Sequence, residues 1–476
     1  MIFSLEDKEA DLPAIQSDDN VTVTYGELRD QAGCLKRIFK NRCLIFCLCK
    51  NTPGAVVGYI GALENRAVPL LLDVKLAEEQ FLHFFHTYTP GYVWAPSDYA
   101  IPDLAQTKSG WKKVYQAYDY CMWETKMARA GQTLLHNELA LLLATSGSTG
   151  IPKLVRISRE NLESNAASIR KYLGITKEER PVTTLPMQYT YGLSVINSHL
   201  LAGACILMTE SSVVRRQFWD FLKKLKGTSI SGVPYTYQML KKMHLFETNL
   251  MPSSLCTMTQ AGGRLTAELQ REIGEWAASR GIRFFVMYGQ TEATARMSYL
   301  PAEDCLRKCG SIGIAIPGGR FTLEDEDGNY FDAPEKTGEL IYFGENVAMG
   351  YAVCKEDLLL GDTCRGVLKT GDMARKDRDG YYYIVGRKKR FVKIFGVRIG
   401  LDECEQVLKE RYPDSEAVCV GTDDHMKLYL TDRQSAEKAA GFLADYLHLH
   451  KKSIESFYLE EIPKNPYGKI CYAELE

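Results

Sequence analysis

A short segment rich in glycine and hydroxyl residues has the composition of a phosphate-binding loop. Six small or hydroxylated residues, at positions 145–150, separate the apolar run 141–144 from the strand-like and mostly apolar run 154–157, and Lys153 precedes the second run. Glycines allow backbone amides to approach an anion closely, hydroxyl groups donate hydrogen bonds, and a lysine adds positive charge. The candidate phosphate-binding residues are Thr145, Ser146, Gly147, Ser148, Thr149, Gly150 and Lys153.

This loop differs from the Walker A motif, in which the lysine directly follows the last glycine and a helix follows the lysine. Here Ile151 and Pro152 stand between Gly150 and Lys153, and a proline would disturb that helix. A turn of serine, threonine and glycine is also an ordinary connection between two strands of a hairpin. Both readings stay open on composition alone.

Further motifs follow in order along the chain. Tyr-Gly-Gln-Thr-Glu ends at Glu292, Lys-Thr-Gly-Asp ends at Asp372, Gly-Arg ends at Arg387, and Asn-Pro-Tyr-Gly-Lys ends at Lys469. Each motif alone is common in unrelated proteins. Three more stretches accompany them: Ala-Gly-Gly at 261–263, Gly-Glu-Leu at 338 to Gly-Tyr at 351, and Phe-Gly-Val-Arg at 395–398.

In this order and at these spacings, the motifs resemble those of the adenylate-forming superfamily, which contains acyl-CoA synthetases, luciferases and the adenylation domains of peptide synthetases. The resemblance covers nearly the whole chain. It implies an AMP-forming acid–thiol ligase that works in two steps. A carboxylate attacks the α-phosphate of ATP to give an acyl-adenylate and pyrophosphate, and a thiol then displaces AMP. The first step depends on positioning and on neutralising charge.

The resemblance also implies roles for individual residues. The loop with Lys153 would bind the β- and γ-phosphates, Thr291 the α-phosphate, and Glu292 the Mg²⁺ ion, a hard cation that suits a carboxylate and phosphate oxygens. Lys469 would bridge the reacting carboxylate and the α-phosphate. The plainer alternatives are that Glu292 caps a helix and that Lys469 is one exposed lysine among many.

The nucleoside would bind to a second group of motif residues. By the resemblance, Tyr288 stacks on adenine, backbone around 261–264 surrounds it, and Asp372 accepts hydrogen bonds from the ribose hydroxyls beside Arg387. The adenine- and ribose-binding residues are Gly262, Gly263, Arg264, Tyr288, Gly289, Asp372 and Arg387. As alternatives, Asp372 could stabilise a turn, and an aromatic residue at a strand end, such as Tyr288, could belong to the core.

Members of this superfamily rotate a small carboxyl-terminal domain between the two steps. The hinge position falls on Lys389, and an exposed charged residue at a domain junction suits a pivot. After rotation Lys469 would leave the site, and Gly396 would line the tunnel for the thiol.

Two departures from the superfamily patterns bear on the acid substrate. Gly192 stands where amino-acid-activating members carry an aspartate, so an α-ammonium group would be buried without a partner. Tyr189 stands where many acyl- and aryl-CoA ligases have a histidine. We therefore expect an uncharged acyl or aryl acid of modest size. By the resemblance, the acyl pocket would include Tyr189, Gly192, Val233, Tyr235, Gln260 and Met287.

The acceptor is either CoA or the phosphopantetheine of an acyl carrier protein, since both present the same thiol. Two alternatives remain: a ligase that transfers the acyl group to an amine or an alcohol, and a catalytically silent nucleotide-binding protein. Intact Lys153, Glu292, Asp372 and Lys469 argue against the silent protein.

Composition excludes several other classes. A net charge of −2 gives no general attraction for nucleic acid or anionic membranes. The amino terminus lacks a signal-peptide pattern, and no apolar run is long enough to span a membrane, so we expect a cytoplasmic protein. Its 14 cysteines are expected to be reduced thiols rather than a disulfide framework or a zinc site.

The elements that must position these motifs indicate an α/β protein of more than one domain, since 476 residues exceed one core. Strands alternate with helices over some three hundred residues, which predicts parallel sheets. Hairpin signals at 310–385 predict a small β-rich subdomain. We expect a large domain of packed parallel sheets at 1–386, including that subdomain, and a small mobile α+β domain at 387–476.

Overall fold

The structure, a computed structural model, describes residues 1–39, 41–102, 111–126, 134–145, 153–388, 390–394, 397–422, 424–447, 449–450, 453–464 and 470–475. The chain divides into two units. Unit 1 contains Met1–Arg320 and Phe343–Leu368, and unit 2 contains Phe321–Tyr342 and Lys369–Glu476. The expected boundary near residue 387 stays a prediction.

A 9-stranded sheet in unit 1 carries several of the motifs at its strand ends. Its strands are β1 (Pro13–Ser17), β2 (Thr22–Thr24), β10 (Pro181–Val182), β11 (Ile206–Met208), β12 (Ser229–Gly232), β13 (Thr257–Gln260), β14 (Arg283–Tyr288), β15 (Ser298–Leu300) and β16 (Ile314–Ala315). The spatial order is β16-β15-β14-β13-β12-β10-β11-β1-β2. The strands from β14 to β1 run parallel, β2 adds to one side of them by antiparallel pairing, and β15 and then β16 add to the other side by antiparallel pairing.

An 8-stranded sheet in the same unit carries the predicted phosphate loop. Its strands are β3 (Leu44–Cys49), β4 (Val68–Asp73), β5 (Tyr92–Pro96), β6 (Lys112–Ala117), β7 (Tyr120–Glu124), β8 (Leu139–Ala144), β9 (Leu154–Ser158) and β20 (Gly350–Ala352). The spatial order is β20-β9-β8-β4-β3-β5-β7-β6, with a parallel centre and antiparallel edges. The predicted parallel sheets are confirmed. The antiparallel edges were not predicted.

The helices of unit 1 connect these strands. They are α1 (Tyr25–Lys36), α2 (Pro53–Glu64), α3 (Glu78–Tyr88), α4 (Arg159–Leu173), α5 (Thr190–Ala202), α6 (Arg216–Lys224), α7 (Pro234–Lys242) and α8 (Ala267–Ala278). Short 3-10 turns lie at Ile2–Asp7, Leu245–Glu247, Thr291–Ala293, Ala302–Asp304 and Glu356–Leu359.

Helices α2 and α5 lie in the core of unit 1. Almost every residue of both is buried, as expected for helices that are apolar on all sides. One continuous hydrophobic cluster joins them to both sheets, with Ile15 and Met208 from one sheet and Leu71 and Leu141 from the other. The two sheets therefore share a core through these helices, and that core fixes the position of the first turn of α5.

Unit 2 contains three smaller sheets. The first has β17 (Arg320–Glu324), β18 (Tyr330–Phe331), β19 (Thr337–Phe343), β21 (Val367–Lys376) and β22 (Tyr382–Arg387), in the order β18-β17-β19-β21-β22. The second pairs β23 (Phe391–Ile394) with β24 (Val397–Gly400), and the third contains β25 (Ala417–Thr422), β26 (His425–Leu430) and β27 (Ile454–Tyr458). Helices α9 (Leu401–Arg411) and α10 (Arg433–Tyr446), with a 3-10 turn at Tyr472–Glu474, complete it. The predicted hairpin-rich segment and the α+β arrangement of the tail are both present.

No helix among the described residues is long and apolar enough to cross a membrane. All 14 cysteines are free thiols.

His199, on buried helix α5, makes the stability of unit 1 sensitive to acid. Burial lowers the pKa of His199 to about 4, although its hydrogen bond to the Val195 carbonyl (Nδ1 to O, 2.8 Å) opposes that shift and the charge of Arg296 adds to it. The unfolded chain therefore binds a proton at His199 near pH 6.5, and the folded chain does so only near pH 4. Stability from this group is present above pH 6.5 and is lost as pH falls toward 4, by about 3 kcal/mol.

Chemical denaturation of a His199→Gln variant at several pH values between 4 and 7 tests this. The variant should lose less stability over that interval than the wild type. His244→Gln, at an exposed site, should follow the wild type. Equal acid sensitivity of the wild type and the His199 variant would contradict the assignment.

Candidate active site

The predicted phosphate loop connects two neighbouring antiparallel strands. Thr145 follows β8 and Lys153 precedes β9, and Ala144 pairs with Leu154. The backbone N–H and the hydroxyl of Thr145 both donate to the Lys153 carbonyl, at 2.9 and 3.1 Å. The loop thus leaves and rejoins the sheet at one point, as a hairpin connection does. The other loop candidates, Ser146, Gly147, Ser148, Thr149 and Gly150, lie outside the described residues.

Lys153 and Glu292 are linked through Tyr351. The Lys153 Nζ lies 5.8 Å from the centroid of the Tyr351 ring, and the Tyr351 hydroxyl donates to Glu292 Oε1 at 2.7 Å. Strand β20 carries Tyr351 beside β9, where it pairs with Val155. Burial, the charge of Glu292 and this hydrogen bond raise the pKa of the Tyr351 hydroxyl, so it stays protonated as a donor. The structure therefore brings together a cation, a phenol and a carboxylate from three separate segments.

A constrained turn presents Thr291 and Glu292 after β14. The Thr291 Oγ1 lies 2.9 Å from Thr190 Oγ1 in the first turn of α5, and Ala348 N–H donates to the Glu292 carbonyl at 2.8 Å. A side chain at Gly289 would place its Cβ 1.7 Å from the Ala295 carbonyl oxygen. Gly289 is therefore required by steric exclusion, a reason that the motif did not reveal.

The backbone just after this turn is strained and is held by Asn346. Thr294 and Ala295 have φ values of 56° and 126°. Such conformations are unfavourable for these residues unless the surroundings enforce them. The Asn346 side-chain amide donates to the Ala293 and Arg296 carbonyls at 2.8 and 3.1 Å, and the Thr294 hydroxyl donates to the Asn346 carbonyl. Asn346 therefore supports the orientation of the Thr291–Glu292 turn.

The candidate adenine-binding residues lie at one edge of the 9-stranded sheet. Residues 261–264 directly follow β13, and Tyr288 is the last residue of β14. The two strands are parallel neighbours, with Gln260 of β13 paired with Val286 of β14. The carboxyl ends of parallel strands meet at the same edge, which is the usual place for ligands in open α/β sheets. Tyr288 is half-buried, Gly262 is partly buried with a φ of 82°, and Gly263 and Arg264 are exposed.

Several candidate acyl-pocket residues lie at that edge as well. Tyr189, Val233 and Met287 belong to one hydrophobic cluster with Tyr191. A Cβ at Gly262 would lie 2.4 Å from the Tyr189 hydroxyl, so this glycine permits their close packing. Gln260 is fully buried, and its Nε2 donates to the Gly263 carbonyl at 2.9 Å. Tyr235, in α7, is 53% exposed and lies at the surface.

Gly192 is buried in α5 with no room for a side chain. A Cβ there would lie 2.3 Å from the Pro186 carbonyl oxygen. An aspartate at this position would require the backbone to move. The steric contact gives an independent reason, beyond residue type, why this chain lacks the carboxylate of amino-acid-activating relatives.

The candidate ribose-binding residues lie in unit 2 and form an ion pair. Asp372 on β21 is 5% exposed and pairs across the sheet with Arg387 on β22. Arg387 Nε lies 3.3 Å from Asp372 Oδ1. Asp372 N–H also donates to Thr370 Oγ1 at 3.1 Å. The structure thus places the two predicted ribose-binding residues side by side. Asp372 also stabilises a local turn through its backbone, which is the alternative role that the sequence left open for it.

Both neighbours of the predicted hinge are bonded within unit 2. Lys388 N–H donates to the Gly371 carbonyl at 2.7 Å, and the Arg390 guanidinium bonds to Asp402 and, at 2.7 Å, to Glu405 of α9. Lys389, Gly396 and Lys469 lie outside the described residues, so their predicted roles stay predictions.

Comparison with known proteins gives consistent matches. A sequence profile described as AMP-binding enzyme matches residues 5–352. The chain is 28% identical over 417 residues to a 2-succinylbenzoate--CoA ligase of Bacillus subtilis (strain 168), covering 86% of this chain and 82% of that protein. It is 26% identical over 362 residues to 4-coumarate--CoA ligase-like 2 of Arabidopsis thaliana, covering 74% of this chain and 63% of that protein.

Comparison with solved structures also finds proteins that match along nearly the whole chain. The O-succinylbenzoate coenzyme A synthetase of Bacillus subtilis in complex with AMP superposes with a TM-score of 0.78 at 23% identity, covering 99% of this chain and 96% of that chain. This likeness shows a shared fold over essentially the whole length of both proteins.

Proposed function

Because the chain belongs to the AMP-binding enzyme family, we propose that it activates a carboxylic acid with ATP and transfers the acyl group to a thiol. The observation that carries this proposal is the assembly of Lys153, Tyr351 and Glu292 in unit 1, with Thr291 adjacent to Glu292. These groups supply a cation, a carboxylate and a hydroxyl donor beside a cluster of apolar side chains. That combination suits a polyanionic nucleotide and an organic acid.

In the first step, an oxygen of the acid attacks the α-phosphorus of ATP, the bond from that phosphorus to the bridging oxygen of the β-phosphate breaks, and pyrophosphate leaves. Thr291, oriented by Thr190, donates to an α-phosphate oxygen, and Lys153 neutralises charge on the leaving phosphates. Lys469 bridges the acid and the α-phosphate as negative charge develops there. In the second step, the thiolate attacks the acyl carbon and AMP leaves.

Glu292 fits a magnesium site. Mg²⁺ commonly binds through one or two carboxylates together with substrate phosphates and water, and Glu292 is a partly exposed carboxylate whose Oε1 accepts a hydrogen bond from Tyr351. When bound, the ion screens the charge of the phosphates. The synthetase from Bacillus subtilis has been solved with ATP and a magnesium ion, which supports the same requirement here.

Tyr351→Phe should raise the Mg²⁺ concentration that gives half-maximal ATP–pyrophosphate exchange by about tenfold, because partners that orient a metal ligand commonly contribute that much. The control is Tyr446→Phe, which removes an exposed phenol in unit 2. An unchanged Mg²⁺ dependence in Tyr351→Phe would show that the hydrogen bond to Glu292 does not orient it for the ion.

For the substrate, we propose an acyl or aryl acid and favour CoA as the acceptor. One relative is named 2-succinylbenzoate--CoA ligase and another 4-coumarate--CoA ligase-like 2, and Gly192 has no room for the aspartate that an α-amino acid requires. A carrier-protein phosphopantetheine presents the same thiol and is the second acceptor to test.

We also propose rotation about Lys389, which would withdraw Lys469 and admit the thiol past Gly396. Because CoA and ATP are abundant in the cytoplasm, we propose that the protein acts there.

Acid-dependent exchange of labelled pyrophosphate into ATP, measured across a broad panel of acids and followed by addition of CoA, tests the proposed function. We expect exchange with a subset of acids and CoA thioester formation with the same acids. Failure of every acid to support exchange would favour a silent nucleotide-binding protein. AMP and pyrophosphate release that continues with an amine or an alcohol, but not with a thiol, would instead identify a ligase with that acceptor.

A further inference from the structure

Arg296 is a buried cation whose guanidinium is incompletely paired. Its side chain is 2% exposed and lies in the segment between β14 and β15. One guanidinium nitrogen donates to the Tyr172 hydroxyl at 3.0 Å and to the Met287 sulfur at 3.2 Å, and the group lies 4.9 Å from the centroid of the Tyr191 ring. Its Nε has no partner among the described residues, and no carboxylate of those residues forms an ion pair with it.

Arg156 shows how this chain satisfies a buried arginine that only supports structure. It is fully buried, and its guanidinium donates to the backbone carbonyls of Tyr351 and Met349 at 3.0 and 2.8 Å, and to those of residues 360 and 361. Arg296 instead contacts a phenol, a thioether and an aromatic ring, which are weaker acceptors. An arginine keeps its charge in proteins, and a buried charge without an anionic partner is unfavourable. An anion from outside the chain would complete this arrangement.

Arg296 contacts the proposed acyl pocket, since its guanidinium bonds to the sulfur of Met287. Two adjacent residues of α5 connect it to the reaction site: Thr190 contacts Thr291, and the ring of Tyr191 lies against the Arg296 guanidinium. The Tyr191 hydroxyl in turn contacts Thr259 at 2.8 Å. Because consecutive Cα atoms are about 3.8 Å apart, the first turn of α5 lies against both Thr291 and Arg296.

The cavity beside Arg296 restricts the kind of anion that fits. Val195, His199, Ser231 and Thr259 line it, and the room for water is ≈ 10 Å³, about one molecule. Glu179 also borders this cavity, but it accepts hydrogen bonds from Thr228 and Cys256 and lies 4.0 Å from Arg283. A planar carboxylate is the smallest organic anion that matches the guanidinium fork. Because the room is about that of one water molecule, a carboxylate would enter only with displacement of the flexible Met287 side chain that contacts Arg296.

We propose that the acid substrate is a dicarboxylate: one carboxylate is adenylated, and the second pairs with Arg296. This inference rests on the proposed function and differs from the sequence-based expectation of an uncharged acid. Arg296 is then the residue that determines specificity for the remote end of the substrate.

Matched acids test the inference in the full-length enzyme. Exchange kinetics are compared for adipate and hexanoate, for glutarate and pentanoate, and for homophthalate and phenylacetate. In at least one pair, kcat/KM should be about 30-fold or more higher for the dicarboxylate, because it alone forms the charged pair. Equal or higher kcat/KM for the monocarboxylate in every pair would overturn the inference while leaving the proposed function intact. Absence of exchange with every acid would instead count against the proposed function itself.

Two variants assign the preference to Arg296. In Arg296→Met, the ratio of kcat/KM for the dicarboxylate to kcat/KM for the monocarboxylate should fall toward one, mainly because KM for the dicarboxylate rises. Arg296→Lys should retain part of this preference, because the lysine keeps the positive charge but lacks the planar guanidinium. Arg216→Met removes an exposed arginine on α6 and should keep the wild-type ratio. A purely structural role of Arg296 would lower kcat/KM for both acids alike. If Arg296→Met does not fold, the wild-type ratios and Arg296→Lys decide the question.

Discussion

Glu292→Gln should lower the rate of acid-dependent ATP–pyrophosphate exchange by about 100-fold or more. The glutamine side chain has nearly the same shape as glutamate, and its amide oxygen can still accept the hydrogen bond that Tyr351 donates at 2.7 Å. The turn that Asn346 supports should therefore persist. What is lost is the negative charge that binds Mg²⁺ beside the phosphates, and loss of one preorganised charged group at such a reaction commonly costs two orders of magnitude in rate.

The measurement is exchange at saturating acid over a range of Mg²⁺ concentrations, with the denaturation midpoint as a check on folding. Glu247→Gln, which neutralises an exposed carboxylate 74% accessible to solvent, is the matched control and should behave as the wild type. If Glu292→Gln exchanged pyrophosphate at the wild-type rate with the same Mg²⁺ dependence, Glu292 would have no role in binding the metal.

Lys469→Ala should abolish adenylate formation and spare thioester formation from supplied acyl-adenylate. The reason is that this lysine is proposed to neutralise charge only while the carboxylate attacks the α-phosphate, and to leave the site before the thiol enters. We expect exchange to fall by about 100-fold or more, and conversion of acyl-adenylate with CoA to change by less than about threefold.

Each half-reaction is measured separately in this experiment, the first by exchange and the second by CoA thioester formation from synthetic acyl-adenylate. Lys464→Ala is a useful control, since Lys464 precedes Lys469 closely in the sequence and its Nζ donates to a Glu416 carboxylate oxygen at 2.6 Å. It should affect neither half-reaction. Equal loss of both half-reactions in Lys469→Ala would defeat the assigned role and the proposed rotation about Lys389.

The reaction class could be predicted because its residue types recur at set positions along the chain. Thr291, Glu292, Asp372 and Arg387 were found from local motifs. The structure pairs Asp372 with Arg387, and it links Glu292 to Lys153 through Tyr351. The alternation of strands and helices likewise predicted the parallel centres of both large sheets. These features depend on residues that are close together in the sequence, so sequence patterns alone predict them.

Other features depend on contacts between distant segments. Tyr351 is 59 residues from Glu292, and it reaches that carboxylate only because β20 pairs with β9. Asn346 supports the motif turn from an equally distant segment. Both residues lie in the motif stretch from Gly338 to Tyr351, but the motif gave neither of them a role, since strand pairing of this kind is set by tertiary packing.

The sequence by itself determined the family and the class of reaction, and it predicted the groups that we propose carry the reaction, because activation of an acid by ATP requires a phosphate loop, a metal ligand and cations of particular types. Only the tertiary structure decided how the described groups among them are supported by the surrounding chain. It showed that Gly192 has no space for a side chain and that Arg296 is buried, with no ion pair to a carboxylate among the residues that the structure describes. Steric exclusion and burial are properties of the packed chain, so residue identity alone could not reveal them.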